Sequence, residues 1–132
     1  GDDTLDTIFS CEYTKDSDVG TYVITPTDCT FTSGVKNNYN IEYVNGTLSV
    51  YGSSYNKASK TVKIYSNHDT DVDCYVVSYA ENGTLDGIKK EHCSLKADEI
   101  STIDISSLNI AENDSIKIFL WDNNLTPVEI TN

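Results

Sequence analysis

The stretch Asn38-Tyr-Asn-Ile-Glu-Tyr-Val-Asn-Gly-Thr-Leu-Ser-Val50 carries the strongest local structural signal in this sequence. From residue 39 to residue 43, large apolar side chains alternate with polar ones, which is the two-residue period of a strand with one buried face. Asn45-Gly46 follows, and this dipeptide favours a type I′ turn because both residues accept positive φ angles. Residues 47–50 then return with the same alternation. The stretch therefore predicts a β-hairpin.

Similar alternating segments, bounded by turn residues, fill the rest of the chain. Asn82-Gly83 predicts a second hairpin turn. No segment sustains the 3.6-residue period of a helix, so the sequence predicts an all-β fold. Further strands are predicted at residues 7–14, 21–25, 29–32, 60–66, 72–80, 85–95, 100–105, 115–122 and 126–131.

The alternating pattern is interrupted at residues 52–59, Gly-Ser-Ser-Tyr-Asn-Lys-Ala-Ser. Small and polar side chains of this kind are typical of a linker. The sequence therefore predicts a first module over residues 1–52, a linker over residues 53–59 and a second module over residues 60–132.

The chain is strongly acidic, with a formal net charge of −12 and a pI near 4.2. A surface of this sign repels phosphate groups, so nucleic acid is not an expected partner. An anionic membrane surface is disfavoured for the same reason. Because no apolar run approaches the ~20 residues of a membrane span, membrane insertion is not expected either. No cofactor is expected.

Two cysteines lie in each half of the chain: Cys11, Cys29, Cys74 and Cys93. The absence of a C-x-x-C pair argues against a zinc site. One interpretation is a pair of disulfides, Cys11–Cys29 and Cys74–Cys93, each contributing roughly 3 kcal/mol by closing its loop. The other is four reduced cysteines that pack as small hydrophobic residues. Small cores favour the disulfides.

Two phrases of the first half resemble the MBG domain, a mostly bacterial immunoglobulin-like repeat of secreted and cell-surface proteins. They are Val19-Gly-Thr-Tyr-Val-Ile24 and the stretch 38–50. Gly1-Asp2-Asp3 falls where family members have an Asn-Gly-Asp turn. The first strands of the family have no counterpart here, so the resemblance implies a repeat that is either cut or reduced.

The second half is similar to a small fibronectin-like β-sandwich, through residues 79–85, 94–97 and 117–122. That module often ends secreted bacterial surface proteins and polysaccharide-active enzymes. Together the two resemblances imply two small immunoglobulin-like β-sandwich modules in tandem, the first of them either truncated or reduced. They also imply a bacterial protein that is extracellular or associated with the cell wall.

Asp69, Asp71 and Asp73 form an alternating row of carboxylates, which makes them weak candidates for a calcium site. A calcium loop of the EF-hand type would need glycine in place of Cys74 and glutamate in place of Ala80. The alternative is a solvated strand whose charges discourage pairing with another chain. No metal is therefore expected.

Tyr75, Tyr79, Phe119 and Trp121 lie on predicted strands that are apolar on both faces. The opposite face of each strand is the better core face, which leaves these aromatic side chains to be covered by something else. Exposed apolar patches commonly mark contacts, and aromatic side chains on a sandwich face can stack on sugar rings. Three interpretations follow: cover by other parts of the chain, a protein contact, and a sugar-binding surface.

No catalytic motif accompanies these residues. His68 and His92 are the only histidines, and neither belongs to a motif such as G-x-S-x-G. Two small sandwiches also bury little surface around which a deep cleft could form. The sequence therefore predicts a non-catalytic spacer or adhesion module that positions other domains of its parent protein or contacts surface proteins. The alternative is a carbohydrate-binding accessory module of a secreted polysaccharide-active enzyme, which binds through Trp121 and its neighbours.

Overall fold

A computed structural model describes residues 3–130 of the chain. Within that range the regular elements are nine strands and one short 3₁₀ helix, which confirms the predicted all-β fold class. The turn expected at residues 1–3 and the strand predicted at residues 126–131 each extend beyond the described range. Gly1, Asp2 and Thr131 lie outside the described residues. The elements are β1 (Leu5–Cys11), β2 (Gly20–Phe31), the helix (Lys36–Asn38), β3 (Gly46–Val50), β4 (Gly52–Asn56), β5 (Thr61–Tyr65), β6 (Thr70–Tyr79), β7 (Leu85–Leu95), β8 (Ile100–Asp104) and β9 (Ser115–Trp121).

The chain divides into two compact units. The first unit contains the residues up to Ser17 together with Thr21–Ser49, and the second contains Asp18–Gly20 and the chain from Val50 onward. The sequence prediction had assigned residues 18–20 to the first module. Their contacts place them with the second unit.

The first unit contains one antiparallel sheet with the strand order β1-β2-β3. β1 pairs with β2, and a bulge interrupts their ladder between Ile8 and Phe9. Phe9 lies opposite Pro26, which has no backbone N–H to donate to a ladder. A bulge at this position lets the two strands continue past the proline.

The hairpin predicted at residues 38–50 is wrong in its first arm. Residues 39–45 form no strand, and β3 pairs with β2 instead. The Tyr39 ring stacks on Phe31 of β2, with 5.1 Å between the ring centroids. This part of the stretch is therefore held through a side chain that packs on the end of β2, and it makes no ladder with β3.

The second unit is a sandwich of two three-stranded sheets, with the strand orders β4-β5-β8 and β7-β6-β9. Apolar side chains from both sheets meet in a single core. Alternation along each strand produces this arrangement, because every second side chain points to the same side of a sheet. The core residues contributed by the strands include Val62, Ile64, Val72, Cys74, Val76, Cys93, Leu95 and Ile103.

A strand occupies part of the segment predicted to be a linker, residues 53–59. Gly52–Asn56 forms β4, which pairs antiparallel with β5 at the edge of its sheet. Small polar side chains are common in linkers. A β-ladder, however, is made by backbone N–H and C=O groups, so side-chain composition is a poor guide to whether such a segment pairs with a strand. The linker prediction is therefore corrected to an edge strand followed by a turn.

The hairpin turn predicted at Asn82-Gly83 is confirmed and joins β6 to β7. Gly83 has a φ of 81°, a left-handed conformation that glycine adopts without a steric cost. The Asn82 side-chain oxygen accepts a 3.0 Å hydrogen bond from the backbone N–H of Thr84. This turn sets the register between the two strands.

The chain folds back along β9 after a turn at Asp122. The Asp122 N–H donates to the Thr126 carbonyl at 2.9 Å, and the Val128 N–H donates to the Leu120 carbonyl at 2.9 Å. The strand predicted at residues 126–131 is thus a short edge segment beside β9 as far as it is described.

The four cysteines are free thiols, so neither predicted disulfide is present. In the ladder between β1 and β2, Cys11 lies opposite Ile24 and Cys29 lies opposite Thr7. Four positions of strand, ~13 Å, therefore separate Cys11 from Cys29. A disulfide cannot span that distance.

Cys74 and Cys93 are closer but occupy diagonal positions in the ladder between β6 and β7. Cys74 lies opposite Glu91, and Cys93 lies opposite Val72. The Cα atoms of diagonal neighbours are roughly 7–8 Å apart, which exceeds the usual disulfide range of roughly 4.4–6.8 Å. Both side chains are buried, as in the alternative interpretation of cysteines that pack as small hydrophobic residues.

Candidate functional site

The candidate site is the outer face of the β7-β6-β9 sheet. Alternation along β6 directs every second side chain into the core and the side chains between them outward. The register sets Phe119 of β9 opposite Tyr75, and Trp121 opposite Asp73. Because directly paired residues share a face of the sheet, aromatic side chains from both strands come together there.

The term aromatic face is used here for Tyr75, Tyr79, Phe119 and Trp121. The structure places all four of these residues, which the sequence analysis singled out, on the same side of the sheet, and each is half-buried. The ring centroids of Tyr75 and Trp121 are 5.1 Å apart at an interplanar angle of 49°. Those of Phe119 and Trp121 are 5.4 Å apart at 42°. Three of the rings therefore form one tilted cluster.

Two lysines lie over the tyrosine rings of the aromatic face. Lys90 Nζ is 5.4 Å from the centroid of the Tyr75 ring, and Lys117 Nζ is 5.4 Å from that of Tyr79. Each ammonium group is thus close enough for a cation–π interaction. The sequence analysis paired neither lysine with a tyrosine ring. Counting outward from the turn at residues 82–83 would have placed Lys90 opposite Tyr75, as the structure does.

Asp73 is a buried charged residue beside the aromatic face. Its side chain is only 10% exposed, and its carboxylate accepts a 2.7 Å hydrogen bond from Lys90 Nζ. His92 Nδ1 lies 3.0 Å from the other carboxylate oxygen. The hydrogen bonds from Lys90 and then His92 hold the pKa of Asp73 below its ordinary value of 3.8. The carboxylate is therefore charged at neutral pH and already engaged by two side chains.

The other two aspartates of the predicted calcium row have separate partners. Asp69 accepts a 2.8 Å hydrogen bond from Lys96 Nζ, and Asp71 accepts a 2.6 Å hydrogen bond from Ser94 Oγ. Within residues 3–130, no group of three or more His, Cys, Asp or Glu side chains is placed to hold a metal ion. The row of aspartates instead pairs with side chains at the same end of β7 and just beyond it.

The thiols on the inner side of the same sheet are unreactive at neutral pH. Burial is the main cause that raises the pKa of Cys74 to about 12. Burial also raises the pKa of Cys93. The thiolate is the nucleophilic form of cysteine, so these side chains act as core residues.

An open groove of about 430 Å³ runs beside the aromatic face. Phe119 and Trp121 line one side, and the segment from Pro127 to Ile130 lines another, together with Gly52 and Ser53. Two of the four residues of the aromatic face therefore line this groove.

Residues 1–49 match the family model of the MBG domain (YGX type). This match confirms the resemblance of the N-terminal part to an MBG domain. MBG domains are non-catalytic immunoglobulin-like modules that occur in bacterial surface and extracellular proteins. The chain has no match among curated proteins or solved structures. No helix within residues 3–130 has the length and apolar character needed to cross a bilayer.

Proposed function

We propose that this chain is a non-catalytic module of a bacterial extracellular or cell-wall-associated protein. It positions other domains of that protein or mediates protein contacts. The MBG match over residues 1–49 supports the proposal, because domains of this family are modules of surface proteins.

The structural observation that carries the proposal is that the buried polar side chains of the second unit are hydrogen-bonded to neighbouring groups of the same unit. Ser66 Oγ donates a 2.7 Å hydrogen bond to the carbonyl of His68, and Ser78 Oγ donates a 3.3 Å hydrogen bond to the carbonyl of Gly87. Asp73, also buried, is held by two neighbouring side chains. A general acid, base or nucleophile must reach its substrate, whereas these groups stabilise the sandwich.

The proposal is tested with the purified chain against panels of chromogenic glycoside, ester and peptide substrates. The expected result is no turnover above the buffer rate on any panel. Turnover that rises in proportion to the chain concentration and persists through a second purification would overturn the proposal.

A second candidate function is carbohydrate binding, as the accessory module of a polysaccharide-active enzyme. The tilted cluster of Tyr75, Phe119 and Trp121 favours it, because aromatic rings can stack on the apolar face of a pyranose. Lys90 and His92 beside the cluster supply groups able to hydrogen-bond sugar hydroxyls. The groove along Phe119 and Trp121 offers room for a chain of sugars.

Affinity gels that contain individual polysaccharides or purified bacterial cell wall separate the two functions. Three proteins are compared: the wild type, Trp121→Ala, and Tyr13→Ala, which removes an exposed aromatic side chain of the first unit. If the chain is a spacer, all three proteins should migrate equally in every gel. Retardation of the wild type and Tyr13→Ala, but not of Trp121→Ala, would establish the second candidate instead.

A further inference from the structure

The dipeptide Asn-Gly occurs twice in the chain, each time followed by Thr-Leu, at residues 45–48 and 82–85. An asparagine before glycine is exposed to attack by the glycine nitrogen, because glycine has no side chain that blocks the approach to the asparagine Cγ atom. Both asparagines are accessible to solvent. Because the four residues are identical, the conformation of each segment is the main difference between the two sites.

At Asn82 the hairpin turn holds both reacting groups. The N–H of Gly83, which contains the attacking nitrogen, donates a 2.8 Å hydrogen bond to the carbonyl of Ala80. The side-chain oxygen of Asn82 accepts a 3.0 Å hydrogen bond from the backbone N–H of Thr84 and a second one from the Thr84 hydroxyl. Attack on the Asn82 side chain therefore requires that these hydrogen bonds break first.

Asn45 lies in a segment without these restraints. Residues 40–45 form neither strand nor helix, and Gly46 has no left-handed φ, so the tight turn of the other site is not repeated here. Within residues 3–130, no hydrogen bond holds the Asn45 side chain. Gly46 is the first residue of β3, which lies at the edge of its sheet. The end of an edge strand opens more readily than a closed turn within a ladder.

We propose that Asn45 is a site of spontaneous modification, which converts this asparagine into a mixture of aspartate and isoaspartate. The Gly46 nitrogen forms a bond to Asn45 Cγ, the bond from Cγ to Nδ2 breaks, and ammonia leaves with the proton that the Gly46 nitrogen gives up. The product is a five-membered succinimide ring. Water then adds to either carbonyl carbon and opens the ring, which yields aspartate or isoaspartate.

The conversion changes the first unit in two ways. Either product adds one negative charge to a chain whose net charge is already −12. Isoaspartate also lengthens the main chain by one atom directly before β3, because the chain then runs through the side-chain carbonyl. Since the pairing register of a strand depends on the spacing of its backbone groups, this product should weaken the pairing of β3 with β2.

Incubation of the whole chain at neutral and mildly alkaline pH, followed by digestion and peptide mass spectrometry, tests the proposal. Each conversion raises the mass of its peptide by about 1 Da, and fragmentation assigns it to a residue and separates isoaspartate from aspartate. In the folded protein, conversion at Asn45 is expected to be faster than at Asn82 by about tenfold or more, because only Asn82 must first lose its hydrogen bonds. Both rates should rise with pH, since the attacking nitrogen must lose its proton.

Two controls use the same assay. In denaturant the two sites should convert at similar rates, because the turn at residues 82–83 is lost. Gly46→Ala should slow conversion at Asn45 by about tenfold, since the added methyl group hinders the attack. The fold tolerates this variant, because the new Cβ would lie 3.6 Å from Ile24 Cβ, an ordinary contact.

Three results in the folded wild type would overturn the proposal: equal rates at the two sites, faster conversion at Asn82, or no conversion at Asn45 while the unfolded chain converts. A rate difference that persists in denaturant would also overturn it, because the fold would then not be the cause. So would an unchanged rate at Asn45 in Gly46→Ala, which would exclude attack by the Gly46 nitrogen.

Discussion

Asp18 and Lys63 lie forty-five positions apart in the sequence, and their side chains form a 2.8 Å ion pair. Asn56 Nδ2 donates a 3.2 Å hydrogen bond to the same carboxylate, and the N–H of Val19 donates one of 3.1 Å to Ser54 Oγ. These contacts attach residues 18–20 to β4 and β5. A segment that precedes most of the first sheet in the sequence is therefore part of the second unit.

Replacement of Asp18 by alanine is expected to lower the free energy of unfolding of the second unit by about 1–2 kcal/mol, because it removes charge-assisted hydrogen bonds at a mostly buried position. Denaturant unfolding followed by Trp121 fluorescence measures this loss. Asp16→Ala, at an exposed neighbouring position, serves as the control and should change stability by less than about 0.5 kcal/mol. Equal losses in the two variants would show that the ion pair is not the cause.

The ion pair between Asp18 and Lys63 should make the free energy of unfolding depend on pH. The hydrogen bond from Lys63 is the main cause that lowers the pKa of Asp18 below its ordinary value of 3.8. A carboxyl with a depressed folded pKa stabilises the protein above the unfolded pKa, and this contribution is lost as the pH falls through the folded pKa. The stability difference between the wild type and Asp18→Asn should thus be constant from pH 7 to about 5 and shrink below about pH 4. Unfolding curves at pH 7, 5, 4 and 3 measure it, and a difference that grows toward acid pH would contradict the assignment.

Two glycines in identical Asn-Gly-Thr-Leu contexts should respond differently to replacement by alanine. Gly83 has a φ of 81°, so Gly83→Ala should destabilise the second unit by about 1–2 kcal/mol. Gly46 has no left-handed φ, and an added Cβ would lie 3.6 Å from Ile24 Cβ, an ordinary contact. Gly46→Ala should change stability by less than about 0.5 kcal/mol. Denaturant unfolding of both variants measures the contrast, and a larger loss at Gly46 would indicate that residues 45–46 form the tight turn after all.

Thiol chemistry distinguishes free cysteines from disulfides. Unfolding the chain without a reductant should release four reactive thiols, since all four cysteines are free. In the folded protein at pH 8, Cys11 is partly exposed and should be alkylated first. Cys74 is fully buried, with a pKa raised to about 12, and should react last. Peptide mass spectrometry after timed alkylation gives the order, and fewer than four thiols on unfolding would restore the disulfide interpretation.

The aromatic residues of the candidate site could be predicted from the sequence, but only one of the two lysines that lie over their rings could. Trp121 and Tyr75 stood out because their strands are apolar on both faces, which is a property of local pattern. Lys90 could also have been found, since a regular hairpin around residues 82–83 brings it opposite Tyr75. Lys117 could not, because its position beside Tyr79 depends on how β9 docks along β6, and nothing local to either strand specifies that pairing.

The sequence by itself determined where the strands of the second unit lie, from β5 to β9, because one face of each is buried in a core and burial imposes a two-residue period on the side chains. It also determined the turn at residues 82–83, since the strands on either side of it are neighbours both in sequence and in space. Only the tertiary structure decided the partner of each strand. The same Asn-Gly-Thr-Leu closes a hairpin at residues 82–85, but at residues 45–48 it leads into a strand that pairs with β2. The preference of Asn-Gly for a turn is a local free energy, and it is the same in both segments. The partner of the strand that follows depends on the sum of its contacts with distant segments. That sum differs between residues 45–48 and residues 82–85.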